Sequence, residues 1–305
     1  MKQSNDKPID VIGLGTILVD HQVVLSKFPD ADTKNPITND RYQVGGPVPT
    51  ALAMLRRLGM QCDFIGKWSH DAFGQMIMDD LKLLDINCDE SIRAKKGRTG
   101  FAHVWIDASS GSRTVAYSRG DLGEITLGEI ASCKFWACRV LHLDGWSGDA
   151  AKIAAQQAKA AGATIVLDAG SPKSGTADLL PYVDVINCPT RFAREFFGID
   201  DEAEAAQQLI ATGINRAIFT NGDAGATCYS ADETFHVPAF SVEAVDTTGA
   251  GDVFCGGLIY GILEQFEWRM TVLFASACAA MKCRSLGNRD ALPALDAILD
   301  FMHNA

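Results

Sequence analysis

The sequence predicts a three-layer α/β/α sandwich with a mostly parallel central sheet, to which a small β-sheet lid is attached. Three observations predict it. Short apolar runs alternate with helical stretches from residue 9 to residue 220, which places helices on both faces of a parallel sheet. Two segments, 21–44 and 99–118, break that alternation, and everything after residue 249 reads as helix.

The elements follow in order. Residues 9–15 (IDVIGLG) form an apolar run ending in glycines, the mark of a buried strand, and 47–58 carries a helical pattern closed by Gly59 as a C-cap. Further strands are expected at 62–67, 139–143, 164–168, 183–187 and 217–220, with helices at 71–84, 149–161 and 201–211. A strand-like run at 240–245 leads into three helices at 249–265, 268–284 and 293–303. Segment 21–44 alternates loosely and contains Pro29 and Pro36; segment 99–117 reads as two strands around the turn Ser109, Ser110, Gly111. Neither could bury a core alone, so the two are expected to pair over the carboxyl edge of the large sheet, where α/β proteins bind ligands. The expected division is therefore a large domain from 1–20, 45–98 and 119–305, and a discontinuous lid from 21–44 and 99–118.

Composition narrows the class. A net charge of −11 argues against a broad nucleic-acid-binding face, which needs clustered Lys and Arg. The nine cysteines are odd in number and scattered, with no CxxC pair, and so read as reduced thiols. The polar start MKQSNDKPID has no apolar signal stretch, and no run of about 18 apolar residues offers a membrane span, so a cytoplasmic protein without membrane contact is expected.

The chemistry concentrates in DTTGAGD, residues 246–252. Its small residues precede the helical run beginning at Val253, so the loop opens a helix. Backbone N–H groups of a first helical turn lack intrahelical partners and, with the positive end of the helix dipole, hold negative charge. Asp252 stands where a carboxylate takes a proton from an attacking alcohol, or where it merely caps the helix; the loop alone fits both. A GxxxxGK[ST] run is absent, and Gly13 with Gly15 does not complete GxGxxG.

DTTGAGD followed by VFCGGL resembles the C-terminal signature of the ribokinase-like, or PfkB, carbohydrate kinases. Supporting matches run along the chain: GTILVD (15–20), Gly45 and Gly46 ahead of a helix ending RRLG, FIGKWSHDAFG (64–74) and FTNGDAG (219–225). The resemblance implies a ribokinase-like fold and ATP-dependent phosphorylation of a sugar hydroxyl. It makes Asp252 the general base and Gly249–Asp252 an anion hole in which the N–H groups of Ala250 and Gly251 stabilise the transferred phosphoryl group. Asp20, Gly45 and Gly46 would bind the sugar, and Thr220, Gly222 and Gly225 would line the ATP site. It implies magnesium as a cofactor, and places Asp246 and Thr248 near a possible potassium ion.

Two departures from the family pattern stand out. Thr50 occupies the place of the usual Asn after the glycine pair, which alters a substrate hydrogen bond. The NxxE motif linked to magnesium and phosphate is missing: Pro189 and Phe192 fill its places, and Asn187, two residues upstream, either substitutes or does not. AMKC (280–283) and the GGP…T variant are similar to ketohexokinase-like and sulfofructose-kinase-like members. Arg119, in YSRGD, resembles the arginine with which keto-deoxy-gluconate kinases read a carboxylate, or is a solvated charge. Asp144, after a strand, either touches substrate or caps a helix. Trp105 and Trp146 are candidate lid or pocket walls. Lid sheets in this family pair between subunits, so a homodimer through the lid is expected. Two other readings remain open, a nucleoside kinase and a sugar sensor that kept the fold and lost turnover.

Overall fold

The computed structural model describes residues 8–110, 112–133, 137–290 and 292–304; Gly111 of the expected lid turn falls outside them. In chain order the main elements are β1 (Ile9–Leu14), β2 (Leu18–Leu25), β3 (Asn39–Gly45), α1 (Pro47–Arg57), β4 (Cys62–Ile65), β5 (Lys67–Ser69), α2 (Ala72–Leu83), β6 (Ile92–Ala94), β7 (Phe101–Asp107), β8 (Arg113–Ser118), α3 (Leu127–Ile130), β9 (Cys138–Leu143), α4 (Gly148–Ala160), β10 (Thr164–Asp168), α5 (Thr176–Leu179) and β11 (Val185–Pro189). They continue with α6 (Glu202–Ala211), β12 (Arg216–Thr220), β13 (Ala226–Tyr229), β14 (Thr234–Val237), α7 (Ala250–Leu263), α8 (Trp268–Cys283) and α9 (Leu295–Asn304).

The large sheet has the strand order β14-β13-β12-β11-β10-β9-β1-β4, parallel from β12 through to β4. Its strands are apolar on both faces because helices cover both. Val11, Val140, Val166, Val185 and Ile218 point into one core with α1, α7 and α8. Their neighbours Ile12, Leu141, Ile165, Ile186 and Ala217 point into the other core, with α4 and α6. No helix among the described residues is long and apolar enough to cross a membrane.

Two elements differ from expectation. The antiparallel hairpin β13–β14 extends the sheet edge; its strands have four residues each, too short for their alternation to stand out. Residues 240–245 form no strand: this stretch is irregular chain, and Val245 N–H donates to Cys283 O at the end of α8 (2.8 Å).

A separate four-stranded sheet, β3-β2-β7-β8, stands over the carboxyl edge, with β2 and β7 parallel. Its register puts Asp20, Gln22, Gln43, Ala102, Val104, Arg113, Val115 and Tyr117 on the face toward the large sheet. His21, Tyr42, Phe101, His103 and Trp105 lie on the opposite face, where His21 stacks on Tyr42 with ring centroids 4.3 Å apart. Trp105 is therefore not a pocket wall.

Glycines set the close contacts that aim the loops. A Cβ on Gly13 would lie 2.4 Å from Val48, so α1 rests directly on β1. Gly46, which opens α1, has φ +112° and would place a Cβ 2.3 Å from Thr16 O. In α7, Gly257 faces α8, where a Cβ would come within 2.9 Å of Ala275 Cα. Helix propensity favours alanine over glycine by about 1 kcal/mol. The backbone clash opposes that gain, and Gly257→Ala is expected to be destabilising on balance, with a lower urea midpoint; an unchanged or higher midpoint would show that α7 and α8 can separate at little cost.

Candidate active site

The cavity lies between the carboxyl edge of the large sheet and the lid, with a volume of about 530 Å³, a size typical of small-ligand pockets. Successive strands deliver their terminal residues along one edge: Thr16 after β1, Asp144 after β9, Asp168 ending β10, Pro189 ending β11 and Thr220 ending β12. Asp20 enters from the lid and Asp252 from the first turn of α7.

Gly249 takes φ +76° at the start of α7, and the first helical bond runs from Val253 N–H to Gly249 O (2.9 Å). The amides of Gly251 and Asp252 therefore precede the hydrogen-bonded ladder and are available to an anion. Ala250 N–H instead closes a turn onto Thr247 O (3.2 Å), so of the two donors expected here, Ala250 and Gly251, the first is already engaged. Nothing would crowd a Cβ on Gly251 within 4 Å, which leaves the helix start open. From the lid, Arg113 grips the same loop, its Nη1 lying 3.3 Å from both Thr247 O and Thr247 Oγ1.

The carboxylates of the cleft resist ionisation. Burial pushes Asp20 up to about 7, against the opposing charges of Arg289 and Arg113, while the Asp252 and Asp246 charges add to the rise. Burial likewise raises Asp252, with Arg113, Arg289 and Lys282 pulling it back. Asp168 is held well above the ordinary range by burial and then by the Asp252 and Asp144 charges. Gly45 makes room for Asp20: a Cβ there would sit 2.2 Å from its Oδ2.

Several sequence-derived assignments change. Thr50 does not reach the cavity; it is fully buried, and its Oγ1 accepts from Arg289 Nη1 (3.1 Å). Asp144 borders the cavity, but Oδ2 accepts from Thr16 N–H (2.7 Å) and Oδ1 from Trp146 N–H (3.0 Å), so it clamps two backbone segments. Asn187 lies beside Asp168 in register and hydrogen-bonds to it, leaving Oδ1 buried without a hydrogen-bond partner. Phe192 is buried in the core, so that place of the NxxE pattern carries packing only. Thr220, Gly222 and Gly225 stand beyond the cavity on the same carboxyl edge; Gly225 has φ +98° and approaches Val237 O too closely for any side chain.

Residues that sequence reasoning missed complete the site. Asp168 had a signal, being the last residue of an expected strand at the carboxyl edge. Arg289 had none: it is brought in from a loop, bonding Asp80 (3.2 Å) and Thr50 while its Nη2 is buried without a hydrogen-bond partner. Also bordering the cavity, Trp146 carries two cations, Arg119 Cζ 3.0 Å and Lys173 Nζ 4.7 Å from its ring centroid. Neither cation has a carboxylate within ion-pair distance among the described residues. Lys67 and Arg191, which also border the cavity, are paired with Glu129 and Glu195.

A family model described as pfkB family carbohydrate kinase matches residues 9–295. The chain belongs to the pfkB family of carbohydrate kinases. It is thus a phosphotransferase that uses ATP and an alcohol acceptor on a sugar. Relatives include 5-dehydro-2-deoxygluconokinase of Clostridium perfringens, 25% identical over 97% of this chain and 93% of that protein. The probable fructokinase-2 of Arabidopsis thaliana is 30% identical over 85% of this chain and 86% of its own. Among solved structures, a putative ribokinase II from E. coli in complex with ATP and Mg²⁺ superposes with a TM-score of 0.85 at 23% identity, covering 97% of this chain and all of that one. The fold is accordingly that of the ribokinases.

The rise in Asp20 has a consequence for stability. Its carboxyl is protonated more readily folded than unfolded, so its contribution is fully present below about pH 4 and is lost as pH rises through about 7. Asp20→Asn is expected to melt higher than wild type at pH 8, with the gain shrinking toward pH 4. A melting difference that does not vary with pH would contradict the burial of this charge.

Proposed function

We propose that this kinase phosphorylates a sugar bearing an anionic group, such as a keto-deoxy sugar acid, with Asp252 as the general base. The observation that carries the acceptor class is the Arg119, Trp146, Lys173 cluster: two cations that form no ion pair among the described residues border the cavity of a chain whose net charge is −11, Lys173 feeling the Asp144 and Asp168 charges only at longer range. A carboxylate placed there would form charge-assisted hydrogen bonds in a partly desolvated setting. The relative named 5-dehydro-2-deoxygluconokinase supports the same class.

The chemistry follows from Asp252. Its raised pKa makes it a stronger base once ionised, and removal of the acceptor proton turns a weak nucleophile into an alkoxide-like one. The acceptor oxygen then forms a bond to the γ-phosphorus while the bond to the β-phosphate oxygen breaks, and ADP departs. The Gly251 and Asp252 amides face the charge that grows on the transferred group. Asp20, near half-protonation at neutral pH, can both accept from and donate to sugar hydroxyls. Thr220, Gly222 and Gly225 are assigned to the nucleotide.

Among the described residues no cluster of three His, Cys, Asp or Glu side chains could hold a metal ion alone. Asp168 and Asn187 nonetheless suit magnesium, which needs only one or two protein oxygens beside phosphate oxygens: Asp168 is raised by burial and then by neighbouring negative charge, and Asn187 Oδ1 has no hydrogen-bond partner. When bound there, the ion would screen the phosphate charge. We further propose that the ring-bearing outer lid face, with Tyr42 about half exposed, is covered by a second copy of the chain.

A panel of fructose, ribose, a keto-deoxy sugar acid and a nucleoside tests the acceptor. The acid is expected to have the highest kcat/KM, and Arg119→Ala should raise its KM roughly tenfold or more while leaving neutral sugars within about twofold. Preference for a neutral sugar or nucleoside in the wild type would overturn the anionic reading. Separately, Asp252→Asn is expected to lower kcat by about a hundredfold or more with ATP affinity retained. Sugar-dependent ADP formation at the wild-type rate would remove Asp252 from the role of base, and sugar binding without any turnover by the wild type would favour a sensor.

A further inference from the structure

The family resemblance places a monovalent cation beside Asp246 and Thr248, and the residues present do not fit one. Lys282, in the last turn of α8, extends its ammonium into that position. Nζ lies 2.7 Å from Asp246 O and 3.6 Å from Asp246 Oδ2, and both side chains are completely buried. The remaining capacity of the Asp246 carboxylate is used as well: Oδ1 accepts from Thr248 N–H (2.8 Å), and Oδ2 accepts from Gly287 N–H (2.9 Å) and Gln22 Nε2 (3.4 Å).

We infer that the Lys282 ammonium is a built-in replacement for the monovalent cation, so that this kinase orders its anion-binding loop without potassium. An ammonium group resembles potassium in charge and size, and both are satisfied by carbonyl and carboxylate oxygens. The two cannot share these oxygens, since a second cation at hydrogen-bonding distance from a buried ammonium meets like-charge repulsion in a medium that screens poorly. A buried charge is retained only where it is paired and hydrogen-bonded, which Asp246 supplies.

The position explains what the cation does. Val245 and Asp246 N–H groups both donate to Cys283 O (2.8 and 3.2 Å), so the end of α8 holds the loop through its backbone while Lys282 holds it through its side chain. Four residues separate Asp246 from Gly251, and the pin at Asp246 fixes where the Gly251 and Asp252 amides point. Covalent attachment keeps this cation in place at any salt composition. Lys282 is therefore a positioning residue, one that touches neither sugar nor nucleotide.

The inference rests on the kinase reading for its role and on the Asp246 contacts for its chemistry, and the two are tested apart. Turnover of the full-length wild type in tetramethylammonium chloride and in potassium chloride, at matched ionic strength, is expected to agree within about twofold. Its melting temperature should also be the same in both salts, a readout that stands even if no sugar is turned over. In Lys282→Ala, potassium but not tetramethylammonium is expected to raise kcat roughly tenfold or more and to raise the melting temperature by several degrees, as a ligand of the folded state does. Potassium-specific activation or stabilisation of the wild type would overturn the inference, and so would a folded Lys282→Ala that responds to neither salt. Should the variant fail to fold, the wild-type comparison decides alone.

Discussion

Burial of carboxylates in a poorly hydrated cleft is the constraint around which this site is built. Asp20, Asp168 and Asp252 arrive from three different elements, and each is raised above its ordinary pKa first by burial. Burial alone disfavours the ionised form of all three. Arg113, Arg289 and Lys282 act against that on Asp252, while Lys173 acts on Asp168. Asp252 is thus less acidic than an exposed aspartate while three cations favour its ionised form, the balance that the proposed general-base role requires.

Those cations are themselves held by the scaffold. Arg289 is fixed by Asp80 and Thr50, so the threonine that stands in place of the family's asparagine acts on the cleft through an arginine. Arg113 belongs to the lid and reaches the loop before Gly249, which links lid position to the charge felt by the base. Lys282 comes from α8, whose close packing on α7 through Gly257 sets the helix start. A lid strand, a loop and a helix end thus converge on one carboxylate.

What the sequence revealed and what it hid have physical reasons. The parallel core was readable because strands buried on both faces are continuous apolar runs, as in 164–168 and 183–187, and because Gly59 closes a helix in the ordinary way. The helix-opening loop at 246–252 was readable because small residues stand directly before the apolar run that begins at Val253. Residues 240–245 misled, since the alternation that signals a strand also occurs in irregular chain. Trp105 could not be assigned a face without the β2–β7 register, for a shift of one residue inverts every side chain. Arg289 and Lys282 were invisible because their partners, Thr50 and Asp246, lie more than thirty positions away in sequence.

With three raised carboxylates around one cavity, the central claim is that Asp252, and neither Asp168 nor Asp20, faces the reacting hydroxyl. A crystal structure of the protein with its preferred acceptor and a non-hydrolysable ATP analogue tests this most directly. The acceptor oxygen should lie within about 2.6–3.2 Å of an Asp252 carboxylate oxygen and in line with the γ-phosphorus, which the Gly251 and Asp252 amides approach. An acceptor hydroxyl in line with the γ-phosphorus but bonded to Asp168 or Asp20, with Asp252 out of hydrogen-bonding reach, would contradict the account.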